Sequence, residues 1–232
     1  MFPPTRISLI QKLQDTRQRQ EVLDTLFELY WMPVYKYLRM KWSKNEEDAK
    51  DLTQSFFLRS VEKNFFSGYN PEKARFRTFL RTCLDGFAAN DLKAQNATKR
   101  GGQALHVTID FKTAENELKE LQTLETPEKT FEKDWIRSVF RISLEKFARE
   151  CEQKGKENVY RIFERYEMDS HEDISYKDLA LEFAVPVSQI TNYLSDARRQ
   201  FRRTVLETLR DSTASDEEFR SEVRSLLGIE VE

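Results

Sequence analysis

Asp48-Ala49-Lys50-Asp51-Leu52-Thr53-Gln54-Ser55-Phe56-Phe57 lies at the centre of a helical pattern that runs from about Asn45 to Phe65. At helical pitch Leu52, Phe56 and Arg59 fall on one side, with Ala49 and Phe57 beside them. Asp48, Asp51 and Ser55 fall on another. One stripe is suited to burial; the other is a polar, partly acidic ribbon. Such a ribbon on a rigid helix is able to dock on a basic partner, but an ordinary solvated helix face reads the same way. The rest of the chain decides between the two.

Composition extends the helical reading to all 232 residues. Charged residues make up 34% and hydrophobic ones 39%, with only six Gly and six Pro to turn the strands of a sheet. Long stretches of Leu, Glu, Lys, Arg and Gln favour helix. The expected fold is all-α, with two helical domains joined by a flexible linker.

Cys83 and Cys151 make no disulfide framework and read as small buried hydrophobes in a reducing compartment. No apolar run approaches a membrane span, and Met1-Phe2-Pro3-Pro4 lacks the regions of a signal peptide, so the cytoplasm is the expected location. His106 and His171 are isolated, and Lys99-Arg100-Gly101-Gly102 lacks the context of a phosphate loop. No metal, cofactor or enzymatic activity is expected. The formal net charge of -2 argues against strong unaided binding to nucleic acid. Positive charge is nevertheless concentrated at Arg75–Arg81, Lys93–Arg100 and Arg198–Arg203, and acid dominates after Asp211.

In chain order, a short amphipathic helix is expected over Thr5–Arg19, then a helix apolar on most sides from Gln20 to Trp42, interrupted by Pro33. Ser43 followed by Glu46 has the form of a capping box. Phe65-Phe66-Ser67-Gly68-Tyr69-Asn70-Pro71 reads as a loop. The next helix, about Ala74 to Gln95, gathers Phe76, Phe79, Leu80, Cys83, Phe87 and Ala88 on one face. These helices form a first domain over residues 1–100. Residues 101–128 show no sustained period and read as a linker, with a transient helix around Ala114–Leu124. Periodicity resumes for a second domain over 129–211. An acidic tail, 212–232, carries Phe219, Val223, Leu226 and Leu227 at helical spacing, which suits packing on a helical domain.

Tyr176–Ser195 is the most specific local pattern. Leu179, Ala180, Phe183, Val185 and Ile190 occupy the positions of a helix-turn-helix that must be apolar or small, and Leu194 continues the register. The outer face of its second helix carries Ser188, Gln189, Asn192, Arg198, Arg199, Arg202 and Arg203. Amides and hydroxyls near such a helix start suit base edges, and arginines further along suit phosphates. Ala184 stands where the turn often has Gly, at a cost of about 1 kcal/mol if φ is positive there.

Taken together these pieces resemble bacterial RNA polymerase sigma factors of the extracytoplasmic-function type. Asp48-Ala49-Lys50-Asp51-Leu52-Thr53-Gln54 is similar to the family's core-binding motif, usually Asp-Ala-Glu-Asp-x-x-Gln. Phe76-Arg77-Thr78-Phe79-Leu80 is similar to its promoter-melting motif, whose fourth residue is usually Trp. Ser175–Arg203 resembles the domain that reads the minus-thirty-five element. The likeness leaves out only the linker and the tail.

The resemblance implies that Asp48, Asp51, Gln54 and Ser55 face the basic coiled coil of the polymerase β′ subunit, through charge-assisted bonds. It implies that Phe76 and Phe79, with the loop Phe66–Arg75, hold the melted minus-ten strand, where aromatic faces stack on unpaired bases. Arg75, Arg77, Arg81, Lys93, Lys99 and Arg100 would track its phosphates, and Ser188, Gln189, Asn192, Arg198, Arg199 and Arg202 would contact the minus-thirty-five element of promoter DNA. By their spacing alone, Phe79 and Phe87 suit the core as well. Asp85, where the family often has Asn, would repel phosphate on a DNA-facing surface.

Lys50 and Ser55 depart from the family by removing negative charge from the docking stripe. A similar lack marks a subgroup of these factors associated with serine/threonine kinases. Ser55 is therefore the expected phosphorylation site and Thr53 the second choice. No particular anti-sigma partner is implied. Two other readings fit the residues: a polymerase-independent helix-turn-helix regulator, and a polymerase-binding adaptor that does not recognise DNA. The first predicts tight sequence-specific binding by the protein alone. The second predicts indifference to neutralising Arg198 and Arg199.

Overall fold

The apolar spacing is realised as helices in a computed structural model that describes residues 19–63, 65–95, 110–120, 125–169, 174–213 and 215–230. Among these residues the fold is all-helical. In order come α1 (Arg19–Lys41), α2 (Glu46–Glu62), a 3-10 turn (Phe65–Gly68), α3 (Phe76–Gln95), α4 (Phe111–Glu120), α5 (Pro127–Gln153), α6 (Glu157–Glu167), α7 (Tyr176–Glu182), α8 (Val187–Ser212) and α9 (Asp216–Leu227). No described helix is long and apolar enough to cross a membrane. The helix expected over Thr5–Arg19 lies outside the described residues, apart from its last residue.

Two compact units result. One comprises the chain up to Ser138 together with Asp211 onward; the other is Val139–Arg210. This division differs from domains of 1–100 and 129–211 with a linker between. The first turns of α5, the helix α4 and the C-terminal helix α9 all belong to the first unit.

In that unit α1 is buried on nearly every side: Leu26, Leu29, Tyr30, Val34, Tyr35, Tyr37 and Leu38 are all in the core, and the helix continues through Pro33. Tyr30 packs edge-on to Phe76 and lies against Phe131, while Phe56 meets Phe57 and Phe87. The apolar stripe of α2 is buried as its spacing requires, through Ala49, Leu52, Phe56 and Phe57. Arg59 stays at the rim, over the Phe87 ring.

Helix α4 docks on α1 by apolar and polar contacts together: the Phe111 ring lies 5.7 Å from that of Trp31 and 4.8 Å from that of Tyr35, and Ala114 is fully buried. Glu115 accepts from Tyr35 Oη at 2.6 Å and from Arg39 Nε at 2.6 Å. Lys36, 1% exposed, bonds Glu117 at 2.6 Å and Asp134 at 3.1 Å. A buried ammonium persists only when paired in this way.

In the second unit Phe147, Cys151, Val159, Phe163 and Ala197 form one cluster, and Ile162, Leu179, Ile190 and Leu194 form another. Ala180, Phe183 and Val185 pack against the latter. Ser175 caps α7 reciprocally with Asp178, and the carboxyl of Asp178 is held below its ordinary range by those bonds. Ala184 adopts φ 52°, the strained conformation anticipated for it. Its N–H donates to Leu181 O and that of Val185 to Ala180 O, closing the turn.

Candidate functional site

Helix α2 is capped by Asn45, not by Ser43. The Asp48 N–H donates to Asn45 Oδ1 at 2.8 Å, and Asn45 Nδ2 donates back to the Asp48 carboxylate at 2.9 Å. Ser43 has φ 48°, which turns it away from a capping role. Lys50 bridges to Glu46 at 2.7 Å and to Glu47 at 3.0 Å, so it neutralises two acids of the first turn; its ammonium also lies over the Phe111 ring. Asp51 is exposed, and Gln54 and Ser55 are half-buried. Thr53 is fully buried and its hydroxyl donates to Ala49 O at 2.7 Å. A kinase could reach it only by unwinding α2, so of the two candidate hydroxyls Ser55 is the accessible one.

The aromatic-basic start of α3 is arranged differently from a face open to a strand. Phe76 is 1% exposed and packs against Tyr30, Phe66 and Tyr69, so it is core and does not present a ring for stacking. Phe79 is half-buried beside Tyr69. Arg77 is buried and forms ion pairs with Glu132 and with Glu222 of α9. Its guanidinium stacks on the Trp135 ring at 4.4 Å. Burial pulls the Arg77 guanidinium down, and Glu222 and Glu132 more than offset it.

Arg75 Nη2 donates to Ser221 Oγ at 2.9 Å and its Nε lies 3.6 Å from Glu222. Arg81 lies over Phe131 and pairs with Glu132 at 3.3 Å. Lys93 is on α3; Lys99 and Arg100 lie outside the described residues. Between α2 and α3 is a cleft of about 560 Å³, lined in part by Arg59, Lys63, Phe65, Cys83 and Phe87.

Asp85, which would repel phosphate on a DNA-facing surface, has an internal task. It accepts from Trp42 Nε1 at 3.0 Å, from Tyr37 Oη at 3.2 Å and from Lys41 Nζ at 3.1 Å. One carboxylate therefore ties the end of α1 to the middle of α3. Only the aromatic-plus-lysine run at the end of α1 could have suggested such an acceptor, and it does not say which acid supplies it.

On α8, Ser188, Asn192, Arg198, Arg199 and Arg202 are exposed. Gln189 is half-buried and its amide donates to Tyr193 Oη at 2.5 Å. Arg198 pairs with Glu167 at 2.7 Å over the Tyr166 ring, and Arg199 pairs with Asp196 at 2.6 Å. These exposed pairs are weak enough to exchange for other anions. Among the described residues no cluster of His, Cys, Asp and Glu could hold a metal ion.

No protein-family model matches this chain, and no curated protein is similar to it at a significant level.

Proposed function

We propose that this protein is a sigma factor: it binds core RNA polymerase, directs it to promoters and promotes DNA opening. The observation that carries the reading is the order of three motifs, Asp48–Gln54, Phe76–Leu80 and Ser175–Arg203. Two geometric features support it. The acidic ribbon of α2 keeps Asp51 exposed on a helix whose other side is anchored in the core. Helix α8 buries Ile190 and Leu194 and leaves Asn192, Arg198 and Arg199 exposed, which suits a helix whose open side meets DNA. The roles are those of docking helix and minus-thirty-five reader, with the protein acting as a binding module and not as an enzyme.

The docking helix is short of negative charge. Lys50 cancels part of its first turn, and Ser55 replaces an acid one turn beyond Asp51. We infer that phosphorylation of Ser55 by a serine/threonine kinase completes the docking surface. A phosphate adds about 1.5 to 2 negative charges and could form one to three bonds to arginines of the coiled coil.

In-vitro transcription with core polymerase on a promoter library tests the reading. Specific initiation is expected, with weak DNA binding by the protein alone. Tight sequence-specific binding without polymerase, and no initiation with it, would overturn it in favour of an independent regulator. For Ser55, polymerase binding by the unmodified, Ser55→Ala and kinase-treated proteins decides. Strong binding by all three alike would refute the switch.

A further inference from the structure

The C-terminal helix α9 is seated on the residues assigned above to the melted strand. Glu218 Oε1 accepts the Phe76 N–H, the first of α3, at 2.6 Å, and its other oxygen lies 3.2 Å from Tyr69 Oη. One turn on, Glu222 is 1% exposed and takes the guanidinium of Arg77, with Arg75 alongside. Ser221, between them, accepts from Arg75. Phe219 and Val223 are buried, so the helix is anchored by an apolar pair next to its acidic pair. The first turn of α3 contains no acid of its own, so the negative charge at its start comes from α9 and from Glu132 of α5.

A carboxylate at a helix start and a second on neighbouring arginines reproduce the contacts that strand phosphates would make. The seat is not fully satisfied, however. Among the described residues Glu222 Oε2 has no hydrogen-bond partner, and burial pushes the Glu222 carboxyl up in spite of Arg77. A ligand that supplies several phosphates and leaves none of its charge buried and unpartnered could displace the helix.

We propose that α9 is a built-in competitor for single-stranded DNA, covering Arg75, Arg77 and the start of α3 until the strand displaces it. This rests on the sigma-factor reading for the identity of the covered surface. The protein then binds a melted strand weakly by itself, because the strand must first expel an internal polyanion. The same cover would reduce non-specific binding to nucleic acid.

The test uses the full chain and a short mixed-sequence single-stranded oligodeoxynucleotide, with binding followed against salt. Glu218→Gln with Glu222→Gln weakens the seat by charge. Val223→Ser loosens it with the charges intact, which guards against a variant that simply misfolds; circular dichroism checks both. Each should bind the oligonucleotide about tenfold more tightly than wild type. Freeing Arg75 in full and Arg77 in part, since Glu132 still holds it, should steepen the slope of log affinity against log salt by about 0.7 to 1.4. Adding Arg75→Ala should remove at least half of that gain in slope. Equal affinity and slope for wild type and both folded variants would overturn the cover. If those equal proteins also drive transcription with core polymerase, the sigma-factor reading stands without it. Tighter binding by the variants without any transcription would uphold the cover and sink the polymerase reading.

Discussion

Arg77→Ala is a substitution for which the structure gives a large stability effect. Arg77 is 8% exposed, and the side chain of its partner Glu222 is 2% exposed. Removing the guanidinium leaves a buried carboxylate, which already has one unpartnered oxygen, with only Arg75 at 3.6 Å as counter-charge. Breaking such a pair from one side costs about 3–5 kcal/mol. That figure includes the stacking on Trp135, since the same group supplies both. Replacing both partners by apolar residues, Arg77→Met with Glu222→Leu, removes the charge problem and should return the protein to within about 1 kcal/mol of wild type.

Urea unfolding followed by tryptophan fluorescence is suited to the measurement. Trp31, Trp42 and Trp135 all lie in the first unit, so the signal reports that unit alone. Acidification supplies a second signature. Burial raises the folded Glu222 carboxyl above its ordinary value, and loss of Arg77 should raise it further. An acid with a raised folded value costs stability above that value. The cost disappears as the pH falls through it toward the unfolded value, because the folded state takes up the proton first. The deficit of Arg77→Ala should therefore shrink between neutrality and the ordinary glutamate range. A deficit below about 1 kcal/mol at neutral pH, or one that grows on acidification, would refute a buried Arg77–Glu222 pair.

Ala184→Gly should stabilise the second unit by about 1 kcal/mol in a thermal melt, since φ is 52° there and glycine tolerates it. Ser175→Ala removes the cap of α7 and should cost about 1 kcal/mol. Because Ser175 holds the Asp178 carboxyl down, the cap's pH-dependent contribution is full above the unfolded aspartate value and is lost as the pH falls through the folded one; a titration of stability in wild type and Ser175→Ala checks the sign. Asp85→Ala leaves Trp42 Nε1 and Tyr37 Oη without this acceptor, while Lys41 keeps Tyr37 and Glu128, and should cost about 1–3 kcal/mol in the same urea assay, whereas enhanced DNA binding with unchanged stability would show that Asp85 faces DNA instead. Arg198→Ala with Arg199→Ala should weaken promoter binding by the holoenzyme and flatten its salt slope by about 1.8, an effect that binding titrations at several salt concentrations measure.

Helices with apolar stripes were legible from the sequence because burial dictates their spacing. Leu179, Ile190 and Leu194 are core as their register demands, and the strain at Ala184 followed from one turn position. Helix α4 was not legible as a packed element. Its apolar face is short, Phe111 and Ala114, and the rest of its contact with α1 is made by Glu115 and Glu117 on tyrosine, lysine and arginine, which leaves no hydrophobic signal. The burial of Arg77 was hidden for another reason: its partner Glu222 is 145 residues away, and no local pattern pairs two charges over that distance. A faint signal did exist in the tail, where Glu218 and Glu222 stand beside Phe219 and Val223, each pair four apart. An acidic pair flanking an apolar one suits a helix whose anchor and charge face the same neighbour.

Lys50 and Asp85, two of the departures from the sigma-factor resemblance, share a physical feature with the acidic α9, which lies outside that resemblance. Each charge is met inside the fold. Lys50 is balanced by Glu46 and Glu47, Asp85 by Lys41 with Trp42 and Tyr37, and Glu222 by Arg77 and Arg75. A charge that opposed its partner on an open surface would simply weaken the complex. One that is satisfied internally instead sets a threshold, because the partner must supply a better counter-charge than the protein already holds. On the proposed reading, a phosphate at Ser55 restores the negative charge that Lys50 offsets on α2, and on α3 a strand of phosphates takes the place of two carboxylates. On that reading phosphorylated Ser55 combined with Glu218→Gln and Glu222→Gln should initiate more transcription with core polymerase than either change alone.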